Sequence, residues 1–251
     1  MQSMVNLNCQ LSQVKQDLAI SDDNFIGIFL YGSQNYGLDY EGSDTDSILL
    51  VHSADKAKKE LQTSTGKVKI YTLKYFIYRL KQGDLECYEI LYTKYNITNP
   101  VYEECLINFI KELSDCMSYE RIKYSLYNKL DEHLCHVLWM MVNKEKARYN
   151  KKRLYWAIRV CNQLQRINDG ESFESSLIYR DLIGYDLMQI KTATNYLSIK
   201  DFSTIYRSLI EFIRSQRRYS KDVLDAEEKC FSNLYANITE LYSNYTMELY
   251  I

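Results

Sequence analysis

Two short stretches of this chain hold the residue types best suited to chemistry: Gly32-Ser33 and, eleven positions beyond Ser33, Asp44-Thr45-Asp46. Each borders an apolar run of strand character. Phe25 to Tyr31 leads into the Gly-Ser, and Ser47 to Val51 leads out of the Asp-x-Asp. Residues two apart in a strand project to the same side, so Asp44 and Asp46 are expected to point together. Two carboxylates on one face repel unless a cation neutralises them. An all-oxygen pair of this kind suits Mg²⁺ or Mn²⁺ shared with the phosphates of a nucleoside triphosphate. Gly32 lets a phosphate approach the backbone, and the Ser33 hydroxyl can hydrogen-bond to it. The chemistry implied is nucleotidyl transfer, with Asp44 and Asp46 as catalytic metal ligands and Gly32 and Ser33 holding the nucleotide.

The stretch Leu30 to Leu50, L-Y-G-S-Q-N-Y-G-L-D-Y-E-G-S-D-T-D-S-I-L-L, resembles the signature of the DNA polymerase β nucleotidyltransferase superfamily. Within it, the chain is most similar to the RlaP-like predicted nucleotidyltransferases, whose pattern is Gly-Ser, a second glycine, then Gly-Ser-Asp-x-Asp. Tyr71 to Leu91 resembles that branch's strand-to-helix segment ending in Glu-x-Leu, and Arg159, Asp186 and Ile190-Lys191 fall where its helical half has weaker signals. The resemblance is sharp over about residues 25 to 91 and diffuse beyond. It implies an α+β fold, a small mixed-sheet nucleotidyltransferase domain followed by an all-helical domain. It also implies transfer of a nucleoside monophosphate from an NTP such as ATP to an acceptor hydroxyl, on an RNA end, a protein or a small molecule, with Mg²⁺ or Mn²⁺ as cofactor. Arg159 is expected to bind nucleotide because its position matches the branch's signal, although Trp156 stands where the branch carries a histidine.

One departure matters for activity. The superfamily uses a third carboxylate on a later strand to complete a two-metal site and accept the proton of the attacking hydroxyl. Here Lys67 occupies that place, its same-face neighbour is Lys69, and no acidic residue lies between Glu60 and Asp84. Three explanations remain open: Glu86 or Glu89 folds into the site, the enzyme works with two carboxylates, or nucleotide binds without turnover. Lys67 or Lys69 is a candidate fixed charge in place of the missing metal, and Tyr71 a candidate pocket wall.

The elements that must position these residues follow from the apolar period. Met4, Leu7, Leu11, Val14 and Leu18 recur at three- and four-residue steps, which predicts an amphipathic first helix. Strands are expected at about 25–31, 45–51 and 67–73, with a helical turn near Ala54 to Leu61. Six of the eight glycines precede the single proline, Pro100; beyond it helical faces follow one another, with a stop at Asn168-Asp169-Gly170. The reading is an α/β domain over residues 1–98 and a helical domain over 99–251.

Composition narrows the function classes. A net charge of −2 argues against a generally basic nucleic-acid binder, while leaving room for a local basic patch. No run approaches membrane-spanning length and no leader pattern opens the chain, so a cytoplasmic protein without membrane contact is expected. Seven cysteines without Cys-x-x-Cys spacing read as reduced thiols. The 24 tyrosines are read chiefly as core and boundary packing, with partner surfaces or base stacking as the alternative. Basic residues at 144–159 could grip phosphate, and Arg214, Arg217, Arg218 and Tyr219 could contact RNA, but both groups are read first as solvated helix faces; His133 and His136 lack further metal ligands nearby. Two classes remain: a metal-dependent nucleotidyltransferase, or a nucleotidyltransferase scaffold that senses nucleotide or blocks a macromolecular partner.

Overall fold

A computed structural model of the chain describes residues 2–39, 43–55, 58–116, 119–142, 151–180, 186–192, 199–215 and 225–248. The order is α1 (Gln2–Leu18), β1 (Phe25–Tyr31), β2 (Asp46–Val51), β3 (Lys58–Gln62), β4 (Lys67–Thr72), α2 (Leu73–Lys81), α3 (Leu85–Leu91), β5 (Asn96–Thr98) and α4 (Pro100–Cys116). There follow α5 (Glu120–Val142), α6 (Lys151–Asn168), α7 (Phe173–Leu177), α8 (Leu187–Thr192), α9 (Ile199–Ser215) and α10 (Asp225–Glu248). The fold is α+β, a mixed sheet with helices.

The strands lie in the order β3-β4-β2-β1-β5. Only β2 and β4 pair in parallel; the other pairings are antiparallel. Every residue of β1 is buried, as a glycine-bounded apolar run between two neighbours requires. One sheet face, with Ile28, Leu30, Leu49, Val51, Val68 and Ile70, forms a core with Leu7 and Val14 of α1. Register sets Asp46 opposite Tyr31, and Ile48 beside Lys69, so the other face carries Tyr31, Asp46, Lys67, Lys69 and Tyr71.

The helical turn expected near Ala54 to Leu61 is not what forms: Lys58–Gln62 is the edge strand β3. Its sequence, Lys-Lys-Glu-Leu-Gln, lacks the apolar alternation of a half-buried strand, and the strand is largely exposed at the sheet's edge. Lysines on an open edge also discourage pairing with another chain. Glu60 ties β3 down through Lys58 and Lys67, both at 3.3 Å. Three-residue β5 was too short to show a period.

Asn99-Pro100 turns the chain from strand to helix. The Asn99 side chain accepts the Val101 N–H at 3.1 Å, and its amide donates to the carbonyls of Asp22 and Phe25, each at 3.0 Å. Pro100 opens α4, where its missing N–H leaves no helical bond unmade.

The chain forms two compact units, one of residues 1–118 and 223–251, the other of residues 119–222. The expected border between residues 98 and 99 separates β5 from α4, whereas α4 and α10 both belong with the sheet. In that first unit the rings of Phe109 and Phe231 lie 6.3 Å apart, and the Cys116 and Cys230 sulfurs approach to 3.3 Å. In the second unit, Leu126, Leu130 and Leu134 of α5 and Leu154, Ile158 and Leu164 of α6 are fully buried or nearly so. Arg166 is buried too, and its guanidinium meets Glu171 and the carbonyls of Ser175, Ser176 and Ile178, so it closes the turn into α7. Gly170, at φ +92°, ends α6 as expected of Asn168-Asp169-Gly170. Among the described residues no helix is long and apolar enough to cross a membrane.

Candidate active site

Strand β1 delivers the chain to Gly32, whose φ of +91° is a conformation that glycine adopts without strain. The turn is closed by N–H groups of Asn35 on the Gly32 carbonyl (2.9 Å) and of Leu38 on the Ser33 carbonyl (3.0 Å). Beneath it lies Glu89 of α3, only 2 % exposed. Glu89 Oε1 accepts the Gly32 N–H at 2.6 Å and the Asn35 amide at 3.1 Å, while Oε2 accepts the Tyr36 hydroxyl. The loop is therefore braced from behind by a buried carboxylate, with Ser33 left partly exposed.

The Asp-x-Asp is held as firmly. Thr45 is fully buried; its N–H donates to the Thr65 carbonyl (2.8 Å), and its carbonyl accepts from Gln10 of α1 (2.6 Å). Its hydroxyl accepts from Asn6 (2.8 Å) and Gln34 (3.1 Å). Ser47 donates to the other end of the Gln10 amide at 2.8 Å. Gly66 packs against the same segment: a Cβ there would fall 2.2 Å from the Thr45 carbonyl oxygen. With Thr45 and Ser47 turned to α1, Asp46 is left on the opposite face. A Cβ on Gly32 would lie 4.0 Å from Asp46 Oδ2, which measures how closely the Gly-Ser turn and the carboxylate adjoin.

The two aspartates are not equivalent. Strand β2 begins at Asp46, so Asp44 lies in the lead-in rather than at a strand position, and it is exposed while Asp46 is partly buried. Burial is the main cause raising the Asp46 pKa; Asp44 raises it further, while the Lys67 N–H at 3.4 Å and the charges of Lys69 and Lys67 work the other way. A desolvated carboxylate with a like charge nearby is stabilised by a cation. The pair could hold one divalent cation such as Mg²⁺ or Mn²⁺.

Among the described residues no third acid joins Asp44 and Asp46. Glu89 is spent on the Gly-Ser turn. Glu86 pairs with Lys69 at 2.5 Å, and the Lys69 ammonium lies 4.7 Å from the centre of the Tyr31 ring. Among the described residues no group of three or more His, Cys, Asp or Glu side chains could hold a metal ion.

The other residues singled out from sequence lie elsewhere. Arg159 belongs to α6 of the second unit, where it is buried with its guanidinium 5.1 Å from the Trp156 ring. Of the first basic group, Lys144, Lys146 and Arg148 lie outside the described residues, Lys152 is exposed, and Arg153 faces Glu132 at 3.7 Å. Of the second, Arg217, Arg218 and Tyr219 lie outside them and Arg214 is exposed. His133 is buried, with Nδ1 3.4 Å from the Arg153 guanidinium, a setting that disfavours an added cation. The sequence reading missed Asn6, Gln10 and Gly66 as supports. A signal for Gln10 did exist: it stands three residues after Leu7 and four before Val14, a polar side chain inside the apolar stripe.

No family model matches the chain and no curated protein matches it. Among solved structures, it is similar to a nucleotidyltransferase-like protein from Exiguobacterium sibiricum 255-15. That likeness has 10% identity and a TM-score of 0.32, and covers 94% of this chain and 74% of that one.

Proposed function

We propose that the chain is a nucleotidyltransferase that moves a nucleoside monophosphate from an NTP to an acceptor hydroxyl, in the cytoplasm. The acceptor would be an RNA end, a protein side chain or a small molecule. The observation that carries this reading is the adjacency of the Gly32-Ser33 turn and Asp46, each beside a segment held by buried polar contacts. The Gly32 N–H is turned to Glu89, and the Ser33 hydroxyl would donate to a phosphate oxygen. Asp44 and Asp46 would hold one divalent cation, which neutralises charge developing on the phosphate oxygens. The acceptor oxygen forms its bond to the α-phosphorus as the bond to the bridging oxygen breaks. Pyrophosphate leaves with that electron pair, and the acceptor proton passes to solvent. The narrower likeness to the RlaP-like branch rests on residues 25 to 91, and nucleotide binding by Arg159 on the branch's helical signal; neither is needed for this step.

A second reading has its own support. Lys69, ion-paired with Glu86, occupies the face where a third acid would serve as base. General-base help is commonly worth about 10²–10⁴-fold, so a protein without it could bind nucleotide and turn over slowly or not at all. One experiment separates the readings: each labelled NTP is incubated with the protein, Mg²⁺ or Mn²⁺ and an RNA pool, while binding and pyrophosphate release are followed. Release that is lost in Asp46→Asn and Asp44→Asn supports the enzyme. Binding without release supports the scaffold. Unaltered nucleotide binding in both variants would overturn the site.

A further inference from the structure

We infer that Lys69 is a built-in cation that takes the place of a second metal ion and touches the triphosphate of the bound nucleotide; this rests on the nucleotide reading of the site. Four observations converge on it. Lys69 shares a sheet face with Asp46, one strand away, and Ile48 of that neighbouring strand is its register partner. Its side chain is 13 % exposed, unlike that of a solvated surface lysine. Two groups hold its ammonium in place, the Glu86 carboxylate at 2.5 Å and the face of Tyr31, the residue directly opposite Asp46. Finally, the two acids that the sequence offered for a further ion are engaged elsewhere, Glu86 by Lys69 and Glu89 by the Gly-Ser turn.

Charge decides what this arrangement admits. A divalent ion entering beside a fixed ammonium is repelled, whereas phosphate oxygens are drawn to it. An ammonium is a compact charge with three donors, so it can keep Glu86 and still donate to a phosphate oxygen. Tyr31 limits where it can swing. Lys67 is the weaker candidate, since its side chain is 43 % exposed and turned to Glu60 on the edge strand. The transfer step itself is unchanged: Lys69 stabilises the charge on the phosphates as the bond to pyrophosphate breaks.

Titration of the full chain with Mn²⁺ and a non-hydrolysable α,β-methylene NTP, read by electron paramagnetic resonance and calorimetry, tests this. The parent is expected to bind one Mn²⁺ per nucleotide and Lys69→Asp two. Lys69→Met should weaken nucleotide binding in chelator about tenfold, the loss of one charged hydrogen bond, and Lys69→Arg should restore most of it. Glu86→Gln, which leaves the lysine in place, should keep the count at one. Circular dichroism shows whether each variant folds; should Lys69→Met fail to fold, Lys69→Arg and Glu86→Gln still give the metal count. Two Mn²⁺ in the parent, or parent-like nucleotide affinity in a folded Lys69→Met, overturns the role of Lys69 while the nucleotide reading stands. No nucleotide binding by the parent overturns both.

Discussion

Glu89 shows how a single buried carboxylate can organise a loop. Its two oxygens accept from Gly32, Asn35 and Tyr36, so it fixes the turn's direction and the height at which Ser33 is presented. In the sequence it is an acid on a short apolar helix, equally readable as a metal ligand. What distinguishes the roles is which way α3 turns its face, and that depends on long-range packing. Glu89→Ala strands buried donors, each at a cost of about 1–3 kcal/mol. Glu89→Gln keeps an acceptor oxygen and should lose much less. Urea unfolding should therefore rank parent, Glu89→Gln and Glu89→Ala in that order of stability, with nucleotide affinity falling in parallel. A stable Glu89→Ala that loses only metal binding would return this residue to the metal site.

At the scale of elements, Gly32-Ser33 and the Asp-x-Asp were legible because each lies against an apolar strand, and short-range pattern suffices for that. The edge strand β3 was not, since its pairing to β4 is chosen by a partner rather than by its own residues. Nor was the close approach of the turn before β4 to Thr45, which needs the sheet assembled. Gly66→Ala tests that approach. Its φ of +150° alone costs a non-glycine residue about 1–3 kcal/mol, and the new Cβ would strike the Thr45 carbonyl as well. A fall in urea midpoint with loss of nucleotide binding is expected, and a neutral result would mean that the Thr45 segment is free to move. In the second unit, α5 and α6 bury His133. That burial, with Arg153 adding to it, depresses the His133 pKa from 6.5 to about 4. The native histidine therefore stays neutral where the unfolded one takes up a proton, and stability falls as pH drops from 6.5 toward about 4. Unfolding followed at about pH 7 and about pH 5 should show a smaller acid loss in His133→Gln than in the parent.

For the whole molecule, the sequence showed a change of character at Pro100 but not that α10 belongs with the sheet. Helical periodicity tells which face of α10 is apolar, not which of two units it will cover. Phe231 is fully buried against Phe109, so Phe231→Ala should cost about 3–5 kcal/mol and open the first unit to proteolysis. Cleavage that leaves α4 protected would show that α10 is dispensable there. The return of residues 223–251 also orders events on the ribosome. Residues 119–222 are contiguous and can close as soon as they emerge, whereas the unit bearing Asp44 and Asp46 must wait for a helix made after them. Until that helix arrives, Phe109 lacks the Phe231 ring that lies against it. A nascent chain of this protein should therefore hold its first unit open while residues 119–222 are made, long enough for a chaperone to engage it.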